Sequence, residues 1–337
     1  MSQAVDIAET VCNPLWFADR YDPGQDAVHF RWLPRDVHRT ATFLTDDYLP
    51  AGQAPRVIRR GDALAVGAPA APLHFIFHSA FCCSTLLARA FDAPGAAMGL
   101  KEPVILNDLV GWQHRGGTAR AIAPVLDAAM ALLARPFAPG EAVVVKPSNV
   151  TNGLAPGMLT MRPAARALLL HAPLPVYLGS IAKKGMDGRL WARDLLVKQL
   201  REGLHPFGYK VDDYLGQTDL QVAALGWLAQ HALFAGLAGQ FPERVRTLDS
   251  EVLMAQPAAK LAALAAFYGI AIDVPAAVAG PAFTTHSKSG AGFDGAARAA
   301  EIDAAAGVHA DEIAKVTFWA GKVAEAAGVP MVLPLGL

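Results

Sequence analysis

A chain of 337 residues and 35.5 kDa is long enough for one large α/β domain or two smaller ones, with ample length to bury a core. Its 29 Lys and Arg nearly balance 30 Asp and Glu, for a net charge of −1, and no basic block of five or more residues occurs. That excludes a general nucleic-acid binder, so an anionic ligand needs a local site. Three cysteines, two of them adjacent at Cys82 and Cys83, make no disulfide framework and fit a reducing cytoplasm. The hydrophobic share of 53%, much of it alanine, suits closely packed helices.

In chain order, the first 17 residues show no basic head followed by an apolar stretch, so no secretory signal is expected. Residues 1–70 read as a small N-terminal lobe, with strands in 27–33 and 56–66 and a helix in 35–49 between them. The run GAPAAP over 67–72 punctuates the chain, and the main domain is placed over 71–337. There the pattern alternates: a strand over 73–77, a helix from 84, a strand over 97–103, a helical region over 124–135 and a strand over 142–149. A strand-to-helix passage over 165–180 follows, then helices over 189–202 and 220–239. A strand over 244–253 leads to a helix that Pro257 starts and Gly269 stops. Strands separated by helices imply right-handed crossovers and a mostly parallel sheet buried on both faces.

The longest apolar segment, 222–239, approaches bilayer length. Gln230 and His231 interrupt its centre, and Thr218 with Gln221 makes a capping box before it, so the reading is a core helix rather than a membrane span.

In an open parallel sheet, ligands sit outside the carboxyl ends of the strands, and five features fall there. The loop from His78 to Thr85 joins a strand to a helix start, the geometry of an anion site. On the Walker A frame His78 and Cys83 replace the glycines, Ser84 replaces the lysine and only Thr85 matches; small buried cysteines in a loop that binds nothing would look the same. In LKEP, Lys101 and Glu102 stop at Pro103, where a carboxylate beside a phosphate site suits a general base and a solvated ion pair is the plainer reading. Lys146 ends the apolar strand VVVK and offers the cation that position 84 lacks, unless it only snorkels to the surface. After the strand ending at Leu170 come His171, Ser180, Lys183 and Lys184, a second phosphate site or an ordinary helix start with solvated lysines. Finally THSKSGAGFDG carries Lys288 in a glycine-rich segment that either closes over a ligand or is a plain linker.

The order of these elements resembles the sulfotransferase family, P-loop proteins whose sulfuryl donor is 3′-phosphoadenosine 5′-phosphosulfate (PAPS). FCCSTLL, from Phe81 to Leu87, is similar to the family's RSGTTLL loop; Ser84, Thr85, Leu86 and Leu87 carry the match, while Phe81 stands at a usually basic position and Cys83 at a usual glycine. LKEP resembles the segment that places a glutamate base in some members, VVVKPSN the strand end whose lysine approaches the phosphosulfate, and HAPLPVYLGS the segment that binds the 3′-phosphate. TLDSEVLMAQPAAKLAALAAFYGI is similar to the family's late YEDLLADPEATLARLAAFLGL pattern. The resemblance covers 73–320.

It implies that Phe81, Cys82, Cys83, Ser84 and Thr85 form the donor loop, with the N–H groups of Cys83, Ser84 and Thr85 on the 5′-phosphate. Lys146 and Lys101 would neutralise the leaving group, Glu102 or His78 would deprotonate an acceptor hydroxyl, and His171 and Ser180 would hold the 3′-phosphate, with Lys288 closing over the donor. No metal is implied. The partner expected is a small-molecule acceptor, with no nucleic acid and no stable membrane insertion, and a homo-oligomer is compatible with the sequence. Two alternatives stay open: an ATP-dependent P-loop phosphotransferase, and a non-catalytic nucleotide-binding or scaffold protein.

Overall fold

The computed structural model describes residues 6–285, 292 and 295–337, and over 295–308 the backbone alone. Lys288 lies outside the described residues.

Three short strands, β1 (Trp16–Asp22), β2 (Ala27–Trp32) and β3 (Arg56–Arg59), form an antiparallel sheet in that order. Five more, β4 (Leu73–His78), β5 (Ala97–Lys101), β6 (Ala142–Lys146), β7 (Ala167–His171) and β8 (Val245–Asp249), form a parallel sheet in the order β5-β6-β4-β7-β8. The protein is therefore α/β, a parallel sheet flanked by helices with a small antiparallel sheet beside it. Every residue of β4 to β7 is buried, which explains why these strands read as unbroken apolar runs. The two faces follow the pleat. Phe75, Phe77, Val143, Val145 and Leu169 enter one core, and Ile76, Val144, Leu168 and Leu170 the other.

The first core continues without a break from Trp16, Phe30 and Ile58 in the N-terminal sheet to Leu106 and Val143 in the main domain. Arg135, 5% exposed, ties the two together by donating to the carbonyls of Leu132, Val11 and Trp16 at 2.7, 2.8 and 2.8 Å.

Several elements differ from expectation. The expected strand over 56–66 is β3 followed at once by the helix Arg60–Ala65, because the Arg60 guanidinium is pinned to Asp26 at 2.7 and 2.9 Å. The helix expected in 35–49 spans only Arg35–Thr40; beyond it Leu44 and Leu49 turn into the core. The strand over 244–253 stops at Asp249, whose side chain accepts from Glu251 N–H and caps the helix Ser250–Ala255. β1 and the helix Val104–His114 were not anticipated.

The apolar segment is the helix Asp219–Gln240, with the Thr218–Gln221 capping box formed. It is long and apolar enough to cross a membrane, and most of it is buried in the protein. Its polar centre has internal partners: Gln230 donates to Gly226 O at 3.2 Å and accepts from Asn152 at 3.1 Å.

Candidate active site

β4 sits at the middle of the sheet, with β6 on one side and β7 on the other, so the chain after β4 opens into the crevice where an α/β sheet takes its ligands. The loop there is built on unusual backbone. Ala80, Phe81 and Cys83 have φ of 71°, 52° and 61°, and Glu102, at the neighbouring end of β5, has φ of 56°. Among the described residues six non-glycine positions have positive φ, and four of them lie here. Such conformations cost free energy and persist only where the surroundings fix them, which marks this edge as a candidate site.

Cys83 occupies the left-handed position immediately before the helix Ser84–Ala90, the place a glycine would fill at lower cost. The first N–H groups of that helix, on Ser84 and Thr85, have no acceptor within it. Cys82 is 1% exposed, its thiol donates to Leu170 O at 3.5 Å, and burial pushes its pKa up to about 12. Its side chain is thus a buried structural group that ties the loop to β7. Phe81 lies against Trp191 and Tyr177, with ring centroids 5.0 and 5.8 Å away, and the Lys184 ammonium is 5.9 Å from its ring centre. A cation thus reaches the loop from another element, where the sequence carries Phe81.

Glu102 and Lys146 are brought together. β5 and β6 pair in register from Ala97↔Ala142 to Lys101↔Lys146, and Glu102 N–H extends the ladder by donating to Lys146 O at 2.7 Å. The Lys146 ammonium, 1% exposed, donates to Glu102 Oε1. On its other side the Phe43 ring centre lies 5.1 Å away.

His78 Nε2 stands 3.9 Å from the same Glu102 oxygen, but its ring has other duties. Ala80 N–H donates to Nδ1 at 3.1 Å, which places the ring proton on Nε2, and Nε2 donates to Pro147 O at 3.1 Å. Both nitrogens are engaged, so the His78 ring fixes the backbone of the loop.

Lys101 is likewise placed away from the loop. Its buried ammonium donates to His38 O at 2.7 Å and Arg39 O at 2.9 Å, and burial lowers its pKa to about 8. It anchors the N-terminal lobe.

Of the expected 3′-phosphate residues, Ser180 is engaged in its own helix, whereas the buried His171 Nδ1 has no hydrogen-bond partner among the described residues. His171 is 8% exposed, meets His231 edge-on at 5.0 Å, and burial lowers its pKa. Ser180 donates to Val176 O at 2.9 Å in its own helix, Leu174–Lys183, and stays half-buried.

Behind the loop lies a buried polar network that sequence reasoning missed. Asn152 donates to His78 O at 3.0 Å, Gln230 donates to Ser79 O at 3.4 Å, and Ser79 Oγ accepts from Ala172 N–H at 3.2 Å. Among the described residues no group of His, Cys, Asp and Glu could hold a metal ion.

No family model matches the sequence, and no curated protein matches it. Among solved structures, the chain is similar to the sulfotransferase domain from the curacin biosynthetic pathway, at 15% identity and a TM-score of 0.40, over 68% of this chain and 86% of that one. It is also similar to the sulfotransferase domain from the Synechococcus PCC 7002 olefin synthase, at 14% identity and a TM-score of 0.41, over 68% and 83%. Both are sulfotransferase domains.

Proposed function

We propose that the protein is a sulfotransferase that takes PAPS as donor and moves its sulfuryl group to the hydroxyl of a small or moderately apolar acceptor. One observation carries this reading: Lys146 and Glu102, placed on adjacent strand ends, form an ion pair beside the left-handed loop after β4. A cation and a carboxylate side by side at that crevice supply the two functions sulfuryl transfer needs.

Glu102 takes the acceptor's proton as the acceptor oxygen attacks sulfur and the bond from sulfur to the bridging phosphate oxygen breaks. Once protonated, Glu102 no longer holds Lys146 by charge, and the ammonium is released to the phosphate oxygen on which charge develops. Proton transfer and charge neutralisation are thereby coupled through one hydrogen bond. The backbone of Cys83, Ser84 and Thr85 positions the 5′-phosphate, and Lys184 adds charge beside Phe81.

Calorimetry with adenosine 3′,5′-bisphosphate, compared with ATP and Mg²⁺, tests the donor. Selective bisphosphate binding supports the proposal, selective ATP binding replaces it with a phosphotransferase, and binding of neither leaves a non-catalytic scaffold. Mass spectrometry of alcohols and phenols incubated with protein and PAPS then tests transfer itself.

A further inference from the structure

A cavity of about 540 Å³ opens at the opposite, amino end of the parallel sheet, within the size range of small-molecule sites. Its polar lining is His74, Arg166 and Tyr268, and its apolar lining includes Pro72, Ala96 and Ile270. His74 and His78 point to the same face of β4 four residues apart, roughly 13 Å along the strand, so this cavity is separate from the candidate active site.

His74 is 5% exposed and stacks on Tyr268, with ring centroids 4.9 Å apart and planes at 14°. Its Nδ1 accepts from Arg166 N–H at 3.2 Å, which puts the ring proton on Nε2. That N–H has no partner among the described residues. Burial and the neighbouring Arg166 lower the His74 pKa to about 4, so the ring is a neutral donor at pH 7. Arg166 is half-buried, donates through Nη1 to Phe267 O and lies 5.5 Å from the Phe267 ring centre. Among the described residues no carboxylate pairs with it. A half-buried guanidinium with no carboxylate partner thus stands beside an N–H of the buried His74 ring that is open to the cavity, two donors that suit an oxyanion.

We infer that this cavity binds a small organic carboxylate, whose oxygens accept from Arg166 and from His74 Nε2–H while its body lies along the Pro72, Ala96 and Ile270 wall. The apolar wall favours an organic anion over an inorganic one, and the single positive charge favours a monoanion.

Calorimetry of the full chain with benzoate and its neutral isostere benzamide tests this independently of the proposed activity. Benzoate should bind saturably with a Kd on the order of 1 mM, and benzamide roughly tenfold more weakly or worse, as loss of a charge-assisted hydrogen bond requires. Arg166→Gln should weaken benzoate by a similar factor. Benzoate should also shift the His74 ring resonance in NMR, and the shift should persist when the active site is saturated with adenosine 3′,5′-bisphosphate. No saturable benzoate binding, equal binding of benzamide, or a His74 resonance that does not respond would overturn the inference. The isostere comparison and the resonance use the wild-type chain, so they decide the matter even if Arg166→Gln does not fold.

Discussion

Lys146 and Lys101 show what a residue's surroundings decide. Both end buried strands, both are almost fully buried, and the strands pair them in register. Lys146 meets a carboxylate; Lys101 meets the last carbonyls of the helix Arg35–Thr40. The sequence reading treats them alike, because nothing in the spacing of LKEP or VVVKPSN shows that β5 is an edge strand against which the N-terminal lobe docks. Two variants therefore separate. Lys146→Ala should lower kcat/KM by on the order of 10²–10³, about 2–4 kcal/mol of transition-state stabilisation, and weaken bisphosphate binding. Glu102→Gln keeps a hydrogen-bond partner for Lys146 but cannot take a proton, so kcat should fall on the order of 10²-fold or more with bisphosphate affinity nearly unchanged. Steady-state kinetics with calorimetry checks both, and wild-type transfer by either variant rejects that residue's role.

Asp19 makes a separate, pH-dependent prediction. It is 5% exposed, its Oδ1 has no partner, and its nearest cation, Arg31, is 3.5 Å away. Burial outweighs that cation and raises its pKa from 3.8 to about 6. A carboxyl whose folded pKa is raised favours the native state while protonated, and that contribution is lost as pH rises through the folded value. Wild-type stability, measured by urea unfolding, should therefore fall between pH 3.8 and about 6 relative to Asp19→Asn. Parallel pH profiles of the two proteins would show that Asp19 is not the source.

At the scale of elements, the parallel sheet was legible because strands buried on both faces must be continuously apolar, as LHFIF and AVVVK are. The helix ends at Thr218 and Gly269 were legible because capping is local chemistry. What escaped were junctions where a strand becomes a helix with no turn residue between; at Arg59 to Arg60 a tertiary partner, Asp26, holds the first helical residue, and at Asp249 to Ser250 a local cap sits inside an apolar run that hides it. Gly99 ties element packing to the site. It lies in β5 under the helix Ser84–Ala90, and a Cβ on it would collide with the backbone carbonyl of Ala88. Since backbone cannot swing aside as a side chain can, Gly99→Ala should cost about 1–3 kcal/mol of stability and shift the helix that carries Ser84 and Thr85. Urea unfolding checks the first effect and bisphosphate calorimetry the second; a variant as stable as wild type would mean the helix has room to move.

For the whole molecule, the question is whether residues 1–70 form an accessory or part of one folding unit. The candidate site gives one answer, since Phe43 from the lobe lies over Lys146. The core gives the stronger one, because its first cluster crosses the boundary and two buried cations of the main domain, Arg135 and Lys101, find carbonyl acceptors in the lobe. Removing the lobe would leave both cations in an apolar setting without those acceptors, at a cost of several kcal/mol for each, and would uncover the helix Val104–His114 where β1 packs on it. Total stability of a domain is about 5–15 kcal/mol, so such losses consume most of it. A chain starting at residue 71 should accordingly be unfolded or aggregated, and the full chain should lose its N-terminal and main-domain structure together. Urea unfolding followed by far-ultraviolet circular dichroism, and separately by a fluorophore attached at the exposed Cys12, checks this on the full chain. Coincident midpoints are expected; a Cys12 transition at clearly lower urea, with the sheet still intact, would make the lobe an independent domain.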